Sequence, residues 1–222
     1  MKGLFITFEG TEGSGKSTQI ALLADRLRQQ GRMVRLLREP GGTPIGEEIR
    51  HTLKQSPHNA AMTNETELLL MNASRAQLVR EVIRPALLAG EIVLCDRFYD
   101  SSIVYQGYGR GLELSRVRSI IDFAVEGTRP DLTLLLLIPL SMSEQRRQLR
   151  QAQTPPQRDR FEEADQGFFK RVEEGYRAIA AQEPERIKIV DATPSVEEVS
   201  AALWRWVEPM IDRDSEGSRL GS

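Results

Sequence analysis

The segment GTEGSGKS at residues 10–17 most constrains how this 222-residue chain can fold. It matches the pattern G-x-x-x-x-G-K-[ST], whose glycines let the backbone curl so that successive N–H groups face an anion. An apolar run of strand-forming residues, 4–8, precedes the segment, and a helical pattern, 18–30, follows it. Strand, glycine-rich loop and helix in this order predict a phosphate-binding loop (P-loop).

Each position of the loop has an expected role. Lys16 should reach the β- and γ-phosphates of ATP, and Ser17 should bind Mg²⁺. The predicted nucleotide-binding residues are Gly10, Thr11, Glu12, Gly13, Ser14, Gly15, Lys16, Ser17 and Thr18. A glycine-rich turn that matches by chance is the alternative, and the flanking strand and helix make it rare. The loop leaves the acceptor open, because ATPases, GTPases and small-molecule kinases share it.

The remaining sequence predicts an α/β fold. Five apolar runs predict strands, at residues 4–8, 34–37, 92–95, 132–138 and 187–190. Their apolar residues are continuous, which is typical of a parallel sheet with helices on both faces. Besides 18–30, helices are predicted at residues 65–89, 115–126, 141–151, 167–182 and 196–207. Asn64 and Glu67 suggest a capping box for the second helix, and Pro85 a kink. We expect one domain over residues 1–211 and a disordered polar tail over 212–222.

Composition narrows the class of protein. The formal net charge is −2, which argues against a surface that binds nucleic acid or membrane. The single cysteine, Cys95, excludes an intrachain disulfide and a cysteine metal cluster. No apolar run approaches the ~18 residues of a membrane-spanning helix. A cytoplasmic protein is therefore expected.

Charged residues follow two of the predicted strands. Asp96 and Arg97 come directly after the third strand, and a Pro- and Gly-rich turn, 38–44, follows the second. The carboxyl ends of parallel strands face the ligand crevice, so we expect both near the P-loop. Arg97 can hold a phosphate, and Asp96 can organise Mg²⁺ or the attacking oxygen. A surface ion pair and a plain connecting turn are the alternatives.

Two more segments carry candidate ligand contacts. Met71 and Arg75 are four apart and share a helix face, where a buried guanidinium needs partners that a nucleobase or phosphate could supply. Snorkelling of Arg75 to solvent is equally compatible. The arginine-rich segment 146–161 predicts a mobile lid suited to transition-state phosphate charge, with a solvated charge run as the alternative.

These motifs together resemble those of bacterial thymidylate kinases. The resemblance extends from residue 8 to about residue 199 and rests on five segments: FEGTEGSGKST at 8–18, REPGGT at 38–43, SRAQ at 74–77, DRF at 96–98 with Ser101 and YQG at 105–107, and DRFE at 159–162. It implies a P-loop kinase fold that transfers the γ-phosphoryl group of ATP to dTMP and forms a homodimer.

The resemblance also implies residue roles. Arg97 would hold the acceptor phosphate, Arg75 would bond the thymine edge, and Tyr105 would pack under the deoxyribose. Glu12 would lie near the sugar hydroxyl or a metal-bound water. Further residues expected in the acceptor pocket are Glu39, Pro40, Met71, Ser102 and Gln106.

Some members of the family carry a catalytic arginine in the P-loop, where this chain has Gly13, so the resemblance implies a lid arginine. The candidates are Arg150, Arg158 and Arg160.

The chain departs from the family pattern at three positions. Met71 replaces a phenylalanine that stacks on thymine, Leu137 replaces an acid at the end of the fourth strand, and Pro155 replaces a lid arginine. Because of Met71, a kinase for another nucleoside monophosphate or for a nucleoside remains a second hypothesis. A nucleotide-dependent switch protein is a third, although the sequence has no Asn-Lys-x-Asp segment for reading guanine.

Overall fold

A computed structural model of the chain describes residues 3–153 and 165–217, with the backbone alone at residues 147, 150–153 and 212–217. Five strands form one parallel sheet in the order β2-β3-β1-β4-β5. They are β1 (Leu4–Glu9), β2 (Val34–Arg38), β3 (Ile92–Asp96), β4 (Leu132–Leu137) and β5 (Ile187–Asp191). The predicted five-stranded parallel sheet is thus confirmed.

Nine α-helices are found in the described part of the chain. They are α1 (Lys16–Gln29), α2 (Pro44–Lys54), α3 (Asn64–Leu78), α4 (Arg84–Leu88), α5 (Tyr99–Ser102), α6 (Leu114–Val125), α7 (Leu140–Gln153), α8 (Gln166–Gln182) and α9 (Val196–Gly217). A 3₁₀ turn (Asn59–Ala61) and two π-helical segments (Val79–Ile83 and Ile103–Gly109) complete the list.

Both faces of the sheet are covered. Phe5 of β1 packs in a core with residues of α3, α6 and α8, whereas its neighbour Ile6 packs in a second core with residues of α1 and α9. Successive strand residues point to opposite faces, so one apolar strand supplies both cores. This arrangement explains why the strand sequences are continuously rather than alternately apolar.

Several helix boundaries differ from the prediction. Helix α2 was not predicted, although Thr43 caps it by accepting from the backbone N–H of Gly46 and a proline occupies its first turn. The cap of α3 is Thr63, whose side chain accepts from the N–H of Thr66, so the predicted capping box at Asn64 was wrong. These misses are local, since both caps follow ordinary N-cap chemistry.

The predicted helix over residues 65–89 is interrupted. A π-helical segment, Val79–Ile83, separates α3 from α4, and Pro85 lies in the first turn of α4. A π-helical turn is one of the usual causes of an irregular helix axis beside proline.

Helix α9 ends at Gly217, beyond the predicted end at residue 207 and inside the segment predicted to be disordered. The central part of the predicted lid, with Arg158 and Arg160, lies outside the described residues. None of the helices described is both long and apolar enough to cross a membrane.

Candidate active site

The P-loop lies between β1 and α1. Gly10 has a φ of 136°, and a Cβ atom there would overlap the carbonyl group of Leu136. Glycine is therefore required for this close passage of the loop beside β4. Lys16 is buried and its Nζ donates to the carbonyl oxygens of Gly10 and Thr11 at 3.1 and 3.0 Å. The side chain folds back over the loop, where the motif predicts that phosphates bind.

Gly13 is packed against helix α7. Arg146 donates from Nη1 to the Gly13 carbonyl oxygen at 2.9 Å, and Ser143 donates to the Glu12 carbonyl oxygen at 2.6 Å. A Cβ atom on Gly13 would lie 3.0 Å from Cβ of Arg146. The helix that leads into the predicted lid therefore rests directly on the P-loop.

Ser17 and Asp96 form a pair of oxygen donors at the start of α1. The Ser17 hydroxyl donates to Oδ2 of Asp96 at 3.0 Å, which joins the P-loop to the end of β3. A hydroxyl beside a carboxylate is a ligand pair that suits Mg²⁺, which prefers oxygen ligands. These two residues fit the metal role predicted for them.

Arg97 joins the P-loop to the acceptor side. Its backbone is left-handed, with a φ of 69°. Its Nη2 donates to Glu12 Oε1 at 2.7 Å and to the Tyr105 hydroxyl at 3.1 Å. Tyr105 in turn donates to Glu12 Oε2 at 2.9 Å. Three residues separated in sequence thus form one polar cluster, in agreement with the prediction that they share a site.

Glu9 supports this cluster and was not predicted. Its buried carboxylate accepts from the backbone N–H groups of Phe98 and Ser101 at 2.8 and 3.2 Å, and from the hydroxyls of Ser101 and Tyr176 at 2.6 and 2.8 Å. Ser101 and Tyr176 also accept from Nη1 of Arg97, each at 3.1 Å. Glu9 is followed directly by the P-loop, which is the only sequence signal for its role.

Arg75 forms a buried ion pair with Glu39. Its Nε and Nη2 donate to Glu39 Oε2 at 2.9 and 2.7 Å, and only 1% of its side chain is exposed. Nη1 donates to Asn72 Oδ1 at 2.8 Å, and Nη2 also donates to the Phe98 carbonyl oxygen at 3.3 Å. The predicted snorkelling to solvent does not occur. The guanidinium instead finds its partners inside the protein, as a buried charge must.

One cavity of about 410 Å³ connects the two sides. It is lined by Glu12, Gly13, Gly15, Lys16, Ser17, Thr18, Arg38, Glu39, Pro40, Arg50, Lys54, Met71, Asp96, Arg97, Ser101 and Tyr105. Most predicted site residues are therefore brought together. Three cations on its wall were not predicted, namely Arg38, Arg50 and Lys54. Arg50 and Lys54 belong to α2, and their place would have followed from recognising that helix.

Three other predicted acceptor residues are buried and do not line the cavity: Arg75, Ser102 and Gln106. Ser102 Oγ and Gln106 Oε1 are buried without a hydrogen-bond partner among the described residues, as is Glu39 Oε1. Buried polar atoms are normally satisfied, so such exceptions often mark ligand positions. The thymine contact of Arg75 remains a prediction.

The other predicted residues have mixed outcomes. The end of the fourth strand, Leu137, is buried and apolar. Of the lid candidates, Arg150 lies in α7 with its side chain outside the described part, and Arg158 and Arg160 lie in the undescribed segment 154–164.

Burial and neighbouring charge shift several pKa values. Burial lowers the pKa of Lys16 to about 8, and the cation of Arg97 adds to the effect. Burial raises the pKa of Glu39 to about 7 against the opposing influence of Arg75. Burial also favours a higher pKa for Glu12, but Arg97 and Lys16 outweigh it and the pKa is lowered. Such shifts cluster at functional sites.

Comparison with known proteins agrees with this geometry. The family model described as thymidylate kinase matches residues 8–203. A thymidylate kinase of Exiguobacterium sibiricum is 51% identical over 91% of this chain and 93% of its own. One of Alcanivorax borkumensis is 46% identical over 95% and 98%. The crystal structure of thymidylate kinase from Ehrlichia chaffeensis superposes with a TM-score of 0.74 at 31% identity, over 94% of this chain and 99% of that one. The chain belongs to the thymidylate kinase family.

Proposed function

We propose that this protein transfers the γ-phosphoryl group of ATP to dTMP, giving dTDP and ADP. The observation that carries the proposal is the single cavity whose wall contains both the P-loop residues and Arg97, Met71 and Tyr105. A donor and an acceptor bound in one cavity can react without a covalent intermediate. Catalysis is then positioning together with stabilisation of developing charge.

On the donor side, the loop N–H groups and Lys16 hold the ATP phosphates. In the ligand-free protein, Lys16 donates to loop carbonyl oxygens, and these contacts are exchanged for phosphate oxygens on binding. Ser17 and Asp96 would hold Mg²⁺, which supplies charge neutralisation at the phosphates when bound.

On the acceptor side, Arg97 holds the dTMP phosphate. Its Nη1 is fixed by Ser101 and Tyr176, so the guanidinium is oriented before the substrate arrives. Glu12 and Tyr105 lie together beside Arg97, where the sugar would be placed. Met71 lines the cavity and offers a soft, polarisable surface to the base.

The remaining charge comes from the lid in this proposal. Gly13 has no side chain to reach the γ-phosphate, and Arg146 already donates to the Gly13 carbonyl oxygen. Arg150, Arg158 or Arg160 would then complete the site on closure. Removing a transition-state arginine costs about 10³- to 10⁵-fold in kcat in related chemistry, so single alanine variants would identify it.

We also propose a cytoplasmic homodimer. The helices α3 and α6 pack on each other, and each carries a large exposed apolar residue, Leu69 and Phe123 respectively. Sedimentation velocity of the wild type and of Phe123→Ser tests this, because a dimer that uses this helix should weaken in the variant.

The substrate assignment is tested by incubating the protein with Mg²⁺·ATP and each nucleoside monophosphate while following ADP. We expect dTMP to give the highest kcat/KM. Higher kcat/KM with dUMP, dCMP or a nucleoside would favour the second hypothesis. ADP formation that ignores every acceptor would favour a nucleotide switch.

A further inference from the structure

Helix α3 presents three residues of one face to the acceptor side. Glu67, Met71 and Arg75 follow one another at intervals of four, so they lie along the same side of the helix. Met71 lines the cavity, while Glu67 and Arg75 are buried one turn away on either side. Arg75 is accounted for by its pair with Glu39. Glu67 has no role in the function proposed above.

Glu67 binds Gln106 and Arg110. Its Oε1 accepts from Gln106 Nε2 at 2.9 Å and from Arg110 Nε at 3.2 Å, and its Oε2 accepts from Arg110 Nη2 at 3.0 Å. The Glu67 side chain is fully buried, and Gln106 is fully buried beside it. A buried carboxylate beside an arginine is a charged acceptor that has no hydrogen to donate.

This contact decides which way the Gln106 amide points. Because Glu67 can only accept, Gln106 must direct its Nε2 towards it, and Oε1 is left at the other end of the amide. That Oε1 atom is buried and finds no partner in the part of the chain that the structure describes. Gln106 follows Tyr105, which lines the cavity. The amide therefore offers one acceptor, and only a hydrogen-bond donor can satisfy it.

We propose that Glu67 is a positioning residue that sets base selectivity by holding Gln106 as an acceptor for the ring N3–H of thymine. This proposal rests on the proposed function and deepens it. Thymine and uracil carry a hydrogen at N3, whereas cytosine has a lone pair there. Cytosine would thus place two acceptors against each other in a buried site. A site built around one hydrogen-bonding pattern discriminates strongly against the opposite pattern.

The test is Glu67→Gln, which keeps the shape of the side chain. The new amide can donate as well as accept, so Gln106 is free to turn its Nε2 towards the base. We expect the ratio of kcat/KM for dTMP to that for dCMP to fall by about tenfold or more. The ratio for dTMP to dUMP should stay within about twofold, because both bases carry N3–H.

Two further variants serve as controls. Glu81→Gln is the matched one, because exposed Glu81 accepts from Gln77 Nε2 at 2.7 Å in the same kind of pair, outside the cavity. We expect it to leave both ratios unchanged. Glu67→Asp retains an acceptor and should keep most of the selectivity against dCMP.

The double variant E67Q/Q106E separates orientation from general damage. The amide at position 67 would donate to the new carboxylate at position 106, whose other oxygen again offers an acceptor to the base. Selectivity against dCMP should return to within about threefold of the wild type, even if turnover is lower. Because it keeps one carboxylate beside Arg110, this variant also carries the test if E67Q fails to fold.

The proposal is wrong if E67Q lowers activity on dTMP, dUMP and dCMP equally, or if the double variant does not recover selectivity. Wild-type protein that does not phosphorylate dTMP would instead contradict the proposed function. Calorimetric binding of dTMP and dCMP to the same variants then decides the role of Glu67, with the same order of selectivity expected.

Discussion

The donor and acceptor sides of the cavity are built in different ways. The donor side is one contiguous loop, in which Lys16 bonds to the carbonyl oxygens of Gly10 and Thr11 only a few residues away. The acceptor side is assembled from distant segments, as in the pair of Glu39 with Arg75, 36 residues apart. A contiguous loop depends little on the rest of the core, whereas the acceptor side is held by buried ion pairs. We therefore expect donor-side changes to affect catalysis and acceptor-side changes to affect stability as well.

The largest effect is expected for Lys16→Met, which tests the donor half of this comparison. Loss of the only ammonium at the P-loop should lower kcat by about 10³-fold, because charge at the phosphates is no longer stabilised. The free energy of unfolding should change by less than about 1 kcal/mol, since an apolar group of similar size replaces a buried charge. Steady-state kinetics and urea unfolding measure the two quantities. A strongly destabilised variant with near-normal kcat would invert the comparison.

Arg75→Met tests the acceptor half. It leaves Glu39 buried without its ion-pair partner, which should reduce the free energy of unfolding by about 3 kcal/mol. Arg35→Met is the control, because Arg35 pairs with Glu91 on an exposed part of β2 and β3. Its cost should stay below about 1 kcal/mol. Equal losses in the two variants, measured by urea unfolding, would remove the distinction between the two sides.

The pH profile gives the smallest effect and isolates Lys16 once more. Its pKa is lowered to about 8 by burial, so the ammonium needed to bind phosphates is lost as the pH rises through that value. The kcat/KM for ATP should be level below about pH 8 and then fall about tenfold per pH unit. A level profile up to pH 10 in steady-state assays would show that Lys16 keeps its charge in the free protein.

The same contrast explains what the sequence could predict. The five strands and the P-loop follow from contiguous patterns, and all were found where expected. Helix α2 was missed because its start, PGGTP, suggests a turn, although Thr43 and Pro44 are a good cap and first residue. With α2, the placement of Arg50 and Lys54 on the cavity wall was missed as well.

Partners far apart in the chain were harder to foresee. The pairing of Glu39 with Arg75, the support of Arg97 by Glu9 and Tyr176, and the contact of Glu67 with Gln106 join residues between 36 and 167 positions apart. No local periodicity encodes such a choice, because each side chain could have met several others. Arg75 was recognised as needing a partner, but the sequence did not identify Glu39.

The most direct test of phosphoryl transfer uses ATP labelled at the γ-phosphate, mixed with protein, Mg²⁺ and dTMP. The account predicts that label appears in dTDP in equal amount to the ADP formed, and that ADP formation stops without dTMP. Label that accumulates as inorganic phosphate at a rate independent of dTMP would contradict it.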